Sequence, residues 1–366
     1  MSASIPMVDP AAEYRAFKAE IDAAVGRVLG SGRYILGPEG EALERELAAY
    51  TGAAHAVGVN SGTDALHLAL VAAGIGAGDE VVVPAFTFFA TAEAVSYTGA
   101  RPVFADVDAG TFNLNPASLE KSITARTKAV IAVHLFGQCA RLEEIQRICS
   151  ERKLVLIEDC AQALGADYAG RRAGSWGDFG GFSFYPTKNL AAAGDAGMIT
   201  VKDKAHAETL RVLRHHGSRQ PYVHERVGWN SRLDEVQAAL LRVKLAKLSE
   251  LNEARRRVAR GYRERLAGVP VTAPAEEPRG THVYHQFTIK TERRDAIREA
   301  LGRDGIASSI FYGLPLHKQP AYEPANRGLK LPASEAAAKS VLSLPIHPFL
   351  EDAVLDRICS VIRSCF

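Results

Sequence analysis

A lysine set among aromatic and small residues is the group in this chain with the most chemistry to offer. Lys188 stands in the run Gly181-Phe-Ser-Phe-Tyr-Pro-Thr-Lys-Asn-Leu190. Burial disfavours an ammonium, so such a lysine either takes a carboxylate partner or puts its neutral amine to use. Imine formation with an aldehyde cofactor is one such use. Twenty-nine residues earlier, Leu154-Val-Leu-Ile-Glu-Asp159 reads as a buried strand ending in acid. Asp159 can hold a pyridine nitrogen protonated, so that the ring accepts electrons from a carbanion. Gln162, three residues on, can reach a phenolic oxygen of the same ring. A lysine for the imine and an acid for the pyridinium are the two groups pyridoxal phosphate needs most. The alternative is that Asp159, as a strand-end Asp, caps the helix that follows it.

Asn60-Ser-Gly-Thr-Asp-Ala-Leu66 precedes a helical pattern. Its small residues let the backbone approach an anion, and a helix start offers free amides and partial positive charge. The plainer reading is a cap, with Ser61, Thr63 or Asp64 satisfying its own helix. The run is not an ATP-type phosphate loop, and the stretch from Gly30 to Gly37 lacks a dinucleotide pattern. Pro84-Ala-Phe-Thr-Phe-Phe89 follows a strand and offers aromatic faces; Phe88 either stacks on a ring or packs in the core. His134 reads as a packed, hydrogen-bonded strand histidine, and His215 and His216 adjoin a polar loop that substrate or a partner subunit would order.

These groups need elements to carry them. Helical patterns at 65–74, 91–97, 116–123 and 141–152 alternate with apolar runs at 80–84, 102–107, 128–134, 154–159, 180–185 and 197–201. Unbroken Val/Ile/Leu runs between helices signal a mostly parallel sheet covered on both faces. A long helix is expected from Leu233 to about Leu266, with Arg255-Arg-Arg-Val-Ala-Arg260 as a solvated face. A loop at 270–280 leads to a strand at 284–289 and a helix at 294–305. The expected architecture is α/β, with a large cofactor-binding domain over residues 1–250 and a smaller α+β domain over 251–366.

With 366 residues and 47% apolar content, the chain can bury a large core. A net charge of +2 with interspersed signs excludes a nucleic-acid footprint. The five cysteines lack metal-ligand spacing and read as reduced thiols of a cytoplasmic protein, with no metal site. No run is long enough for a membrane span, and the N-terminus carries no signal-peptide pattern.

Taken in order, these parts resemble the fold-type I pyridoxal phosphate enzymes, and within them the DegT-type nucleotide-sugar aminotransferases. The likeness rests on Tyr34-Ile-Leu-Gly-Pro-Glu39, Ser61-Gly-Thr-Asp-Ala65, Pro84-Ala-Phe-Thr-Phe88 and Val133-His-Leu-Phe-Gly137. It continues through Glu158-Asp-Cys-Ala-Gln162, Phe182-Ser-Phe-Tyr-Pro-Thr-Lys188, Gly194-Asp-Ala-Gly197, Gly228-Trp-Asn-Ser-Arg-Leu-Asp234 and Leu344-Pro-Ile-His-Pro348. It therefore covers nearly the whole chain.

The resemblance implies a fold-type I architecture, with a mostly parallel seven-stranded sheet, and a role for each matching residue. Lys188 forms the imine and then shuttles the substrate proton; Asp159 binds the pyridine nitrogen, Gln162 the ring's phenolic side, and Phe88 stacks on the ring. The backbone at Gly62, Thr63 and Asp64, with the Ser183 hydroxyl, holds the phosphate. Asn230 corresponds to a residue that reaches the phosphate from the neighbouring subunit, which implies a homodimer with shared active sites. Tyr185, Arg232 and Tyr312 are candidates for donor or sugar contacts. The implied reaction moves nitrogen from an amino acid, L-glutamate, to a nucleotide-diphosphate keto-sugar in deoxyamino-sugar biosynthesis, in two half-reactions. The Tyr185–Leu190 segment with Gly194 and Asp195 is most similar to members that aminate sugar C3. Two departures stand out: Ala191-Ala-Ala193, and Phe311-Tyr312 where many relatives carry His-Tyr, which argues against an acidic sugar. A dehydratase of this fold would replace Lys188 with histidine. A cyclitol aminotransferase, another enzyme of this fold type, or a non-catalytic regulatory protein on the same scaffold remain the alternatives.

Overall fold

Apolar runs bounded by turns become strands when both their faces can be covered, and that is their fate here. The computed structural model describes residues 4–366. Residues 1–3 of the N-terminus, read above as free of a signal peptide, lie outside the described residues. Seven strands form the central sheet: β1 (His55–Val59), β2 (Glu80–Pro84), β3 (Arg101–Ala105), β4 (Thr127–Val133), β5 (Val155–Asp159), β6 (Phe179–Ser183) and β7 (Gly197–Val201). Their order is β1-β7-β6-β5-β4-β2-β3. β7 runs antiparallel to both neighbours, and every other pairing is parallel. The mostly parallel seven-stranded sheet is thus as expected. β1 is the strand that periodicity missed, because His55 and Gly58 interrupt its apolar run. A Cβ at Gly58 would press to 3.1 Å on Leu233.

Successive residues of a strand face opposite sides, and the two resulting faces feed separate cores. Val82, Val130 and Leu156 enter one core with Leu43, Leu47 and Leu241. Val81, Val83, Ile131 and Ile157 enter the other with Leu66, Leu68 and Phe179. The covering helices begin with α1 (Pro10–Ala16), α2 (Lys18–Ser31) and α3 (Pro38–Thr51), then α4 (Gly62–Ala72), α5 (Ala90–Tyr97), α6 (Pro116–Ser122), α7 (Leu142–Arg152) and α8 (Lys204–Leu213). A third core gathers Val258, Tyr262, Phe287, Ile297, Leu344 and Ile358 together with Ile5.

Three expectations for the second half of the chain need correction. The single long helix is two: α9 (Glu235–Leu245) and α10 (Leu248–Arg265). No Gly or Pro breaks it; α9 lies against α2 and α3, whereas α10 packs on the C-terminal helix (Asp352–Arg363), and one straight helix cannot serve both layers. Arg255 is also not part of a solvated face. It is buried, and its Nη1 donates to the carbonyls of Tyr284 (3.3 Å) and Ile346 (2.9 Å), while Arg257 and Arg260 are exposed as expected. The strand read at 284–289 starts only at Phe287, where Phe287–Lys290 pairs with Val341–Leu344. Tyr284 adopts a left-handed φ of 48°, so residues 284–286 bend out of line. Among the described residues no helix is long and apolar enough to cross a membrane.

The start of α3 depends on a distant carboxylate. Gly37 has no side chain to cap the helix, and Glu235 does so instead. Its buried carboxylate accepts the amides of Gly37 (2.9 Å), Glu39 (2.8 Å) and Gly40 (2.8 Å). Glu235→Ala strands three amide donors and should cost about 3 kcal/mol, with Glu235→Gln recovering part of the loss. Urea unfolding of the two variants beside wild type measures this.

Candidate active site

The carboxyl ends of parallel strands are where an open α/β sheet leaves room for a ligand. Val133, Asp159 and Ser183 end β4, β5 and β6. Together with the first turn of α4, the Thr87–Phe88 turn before α5, the 285–286 bend and the Phe311–Tyr312 segment, they enclose a cleft of about 450 Å³. Of the residues singled out above, Gly62, Thr63, Phe88, Asp159, Gln162, Ser183, Tyr185, Lys188 and Tyr312 line it. Asp64, Asn230 and Arg232 do not. Asp64 sits inside the first turn of α4. Asn230 is exposed and bridges to His215 through its backbone, and Arg232 rests its guanidinium on His215 Nδ1 at 3.3 Å.

One end of the cleft is built for an anion. Ser61 caps α4 by accepting the Asp64 amide at 3.1 Å, so the plain capping reading holds for that donor. The amides of Gly62 and Thr63 find no protein acceptor among the described residues. A Cβ at Gly62 would come within 2.6 Å of the Ser183 Cβ, so only glycine lets the helix start and the Ser183 hydroxyl face one small space. Unbonded amides at a helix start, beside a hydroxyl, fit a phosphate.

At the other side Asp159 is buried, with each oxygen engaged. Oδ2 accepts the Thr91 hydroxyl at 2.8 Å, and Oδ1 accepts the Ala161 amide at 3.2 Å. Burial raises its pKa, against the pull of those two donors and of nearby Lys188. Gln162 is fixed in orientation: its Oε1 accepts the Phe136 amide at 2.7 Å, which turns Nε2 toward the Tyr312 hydroxyl at 3.2 Å. Phe88 is exposed into the cleft and tilts against Tyr312 at 6.1 Å between ring centroids. Burial pushes the Tyr312 phenol up, so it stays protonated.

Lys188 lies between the two ends and makes no ion pair or side-chain hydrogen bond among the described residues. Burial lowers its amine to about 8, with Asp159 pulling the other way. The loop that carries it is anchored by Asn189, whose Nδ2 donates to Asn252 Oδ1 (2.8 Å) and the Val283 carbonyl (2.9 Å). Ala191 and Ala192 are buried, and their small side chains let this loop pack tightly. His285, brought in by the bend that replaced the expected strand, is buried with an unpartnered Nδ1. Burial first, then Lys188 and Arg255, hold its imidazole well below the ordinary value, so it is neutral.

Beneath the cleft a second acid does structural work. Glu158 accepts His134 Nε2 (2.9 Å) and the amides of Gly174 (2.9 Å), Trp176 (2.7 Å) and Gly177 (2.7 Å). The Ala140 amide donates to His134 Nδ1, so the ring proton sits on Nε2. His134 is therefore the packed, bonded histidine expected from sequence. Glu158, His134 and Cys160 lie close enough to hold a metal, but the carboxylate is already saturated by four donors. Sequence reasoning missed Thr87, Thr91, His285 and Gln286. Thr91 carried a usable signal, since it stands one helical turn after Phe88. His285 and Gln286 carried none, because a left-handed Tyr284 is not legible from residue types.

Residues 15–363 match the family model of the DegT/DnrJ/EryC1/StrS aminotransferases. A protein of Acidithiobacillus ferrooxidans named UDP-N-acetyl-3-dehydro-alpha-D-glucosamine 3-aminotransferase is 49% identical over 361 residues, covering 98% of this chain and 97% of its own. A Geobacillus stearothermophilus protein named pleiotropic regulatory protein is 47% identical, covering 98% and 99%. The crystal structure of S. venezuelae DesV in complex with a ketimine intermediate is similar at a TM-score of 0.97 and 47% identity, covering 99% of this chain and 98% of that one.

The cleft geometry generates two outcomes. Gly62→Ala should weaken pyridoxal phosphate binding at least about tenfold, since the lost phosphate contacts are charge-assisted, and should also lower the melting temperature of the apoprotein, because the added methyl group forces the start of α4 away from Ser183; fluorescence titration below the melting range measures the affinity. In the apoprotein, only the neutral Lys188 amine attacks an aldehyde. Its rate of cofactor capture should plateau well above pH 8 and fall about tenfold per pH unit well below it, as followed by stopped-flow absorbance.

Proposed function

The chain belongs to the DegT/DnrJ/EryC1/StrS aminotransferase family and is a pyridoxal phosphate-dependent aminotransferase; from that premise we propose that it moves an amino group from L-glutamate to the C3 ketone of a nucleotide-diphosphate sugar. The observation that carries this reading is the arrangement of one cleft: an unpaired amine near pKa 8, a buried carboxylate, and a glycine-gated anion cradle. When bound, pyridoxal phosphate supplies an aldehyde for amines and a ring that takes up the electrons of an ionised C–H bond.

The chain's own residues do the rest. The Gly62 and Thr63 amides and the Ser183 hydroxyl would hold the phosphate. Asp159 would keep the proton on the ring nitrogen, and Gln162 Nε2, already turned into the cleft, would donate to the phenolic oxygen. Phe88 would offer its face to the ring. Lys188 would hold the cofactor's aldehyde, and its amine, when neutral and free, would stand in place to take the donor's α-proton and deliver it to the former aldehyde carbon on the far side of the nitrogen. The neutral His285 beside it adds no positive charge to oppose that role. Tyr185 and Tyr312 line the open side, where a sugar would lie.

A homodimer with shared sites is supported by two features. The hairpin at 218–224 and the segment after it expose apolar side chains, with Tyr222 96% and Val227 87% accessible. Asn230 and Arg232 lie outside their own chain's cleft, as residues that serve a partner's cleft would. The division into units at 250/251 is supported by the third core, drawn mainly from residues beyond 257. A cytoplasmic setting is consistent with five unpaired cysteines. C3 amination is supported by the name of the A. ferrooxidans relative. A regulatory role on this scaffold is the second reading, favoured by the name of the G. stearothermophilus relative.

The test is spectral and then chemical. With L-glutamate, the visible band of the bound cofactor should give way to a near-ultraviolet band, and Lys188→Ala should abolish the change. The aminated enzyme should then return to its first spectrum with UDP- or dTDP-linked 3-keto-sugars. Recovery with 4-keto-sugars or keto-cyclitols alone would overturn the C3 assignment, and no band with supplied cofactor would favour the regulatory reading.

A further inference from the structure

Asp159 does not stand alone in its pocket. Thr91, on the first turn of α5 and 1% exposed, donates its hydroxyl to Asp159 Oδ2 at 2.8 Å. Thr87, 3% exposed, lies 3.3 Å from the Thr91 oxygen. The Thr91 proton is committed to the carboxylate, because an ionised carboxylate can only accept. The Thr87 contact therefore runs one way, with Thr87 donating and Thr91 accepting. Oδ1 is held by the Ala161 amide. The same turn that presents Phe88 to the cleft thus ends in a hydroxyl relay, Thr87 to Thr91 to Asp159.

We infer that Thr91 is a positioning residue which, with Thr87 behind it, keeps Asp159 a weak enough base to leave the shared proton on the cofactor's ring nitrogen. This rests on the reading of Asp159 as the partner of that nitrogen. A carboxylate and a pyridine share one proton, and its place follows their relative basicities. Burial makes Asp159 more basic, and donors on its oxygens make it less so. A hydrogen bond to a charged group shifts such a balance roughly ten- to a hundredfold. The other groups facing Asp159 are Lys188, His134, Tyr312 and Cys160. Of these, none is hydrogen-bonded to its carboxylate through a side chain. Removing the Thr91 donor moves the proton toward Asp159 and strips the ring of its positive charge. The imine nitrogen then keeps its own proton to higher pH.

The experiment is a pH titration of the visible band of the loaded protein, comparing wild type with Thr91→Val, Thr91→Ser, Thr87→Val and Asp159→Asn. Thr91→Val should raise the midpoint by about one pH unit, a tenfold change in the equilibrium, and lower kcat for L-glutamate more than it changes KM. Thr91→Ser should restore the wild-type midpoint, and Thr87→Val should shift it in the same direction by less. With a cofactor analogue carrying carbon in place of the ring nitrogen, wild type and Thr91→Val should coincide. If Thr91→Val fails to fold, the Thr87→Val midpoint decides: no shift there overturns the inference. A shift in Asp159→Asn without one in Thr91→Val also overturns it while leaving the role of Asp159 standing. No shift in Asp159→Asn would remove the reading beneath it.

Discussion

Two opposite charges enclosed in one cleft without touching are the constraint on which the structure turns. Lys188 and Asp159 form no ion pair, and burial works against the charged form of each. A direct salt bridge would have relieved both, but it would also have used up the two groups that the proposed chemistry needs. The protein instead brings the amine's pKa down to about 8 by burial and supports the carboxylate with a hydroxyl and an amide.

This arrangement has a thermodynamic cost with a definite sign. Lys188 has a lower pKa in the native chain than when unfolded, so the unfolded chain binds more protons between about pH 8 and 10.5. The penalty is fully present below pH 8 and disappears as pH rises through that window. Asp159 has a raised native pKa, so its penalty is present at neutral pH and relieved only as the pH falls. Binding that satisfies both groups therefore adds stability as well as chemistry. The remaining scaffold keeps the pair apart: β5 places Asp159 at the sheet edge, and Asn189 ties the Lys188 loop to α10 and the Val283 carbonyl.

Much of this was legible in the residues. The alternating apolar runs specified the buried parallel sheet, because such runs have few other stable uses. Asp159, Gln162 and Lys188 were legible because a strand end and an aromatic lysine segment are uncommon settings for them. What escaped depended on tertiary contacts. β1 escaped because His55 and Gly58 break its apolar run, and Gly58 makes sense only against Leu233. The break between α9 and α10 reflects two different partners rather than any local signal. Arg255 looked like one of several surface arginines, yet it alone of the run meets two backbone carbonyls in the interior. His285 reached the cleft through a left-handed Tyr284 that residue type does not announce.

The proposed chemistry of the cleft depends on Lys188 being the amine that holds the cofactor. Borohydride reduction of the loaded protein, followed by peptide mapping, tests that most directly. The pyridoxyl group should be found on Lys188 alone. Its attachment to any other lysine, or the absence of a reducible bond in a protein that binds the cofactor, would contradict the account.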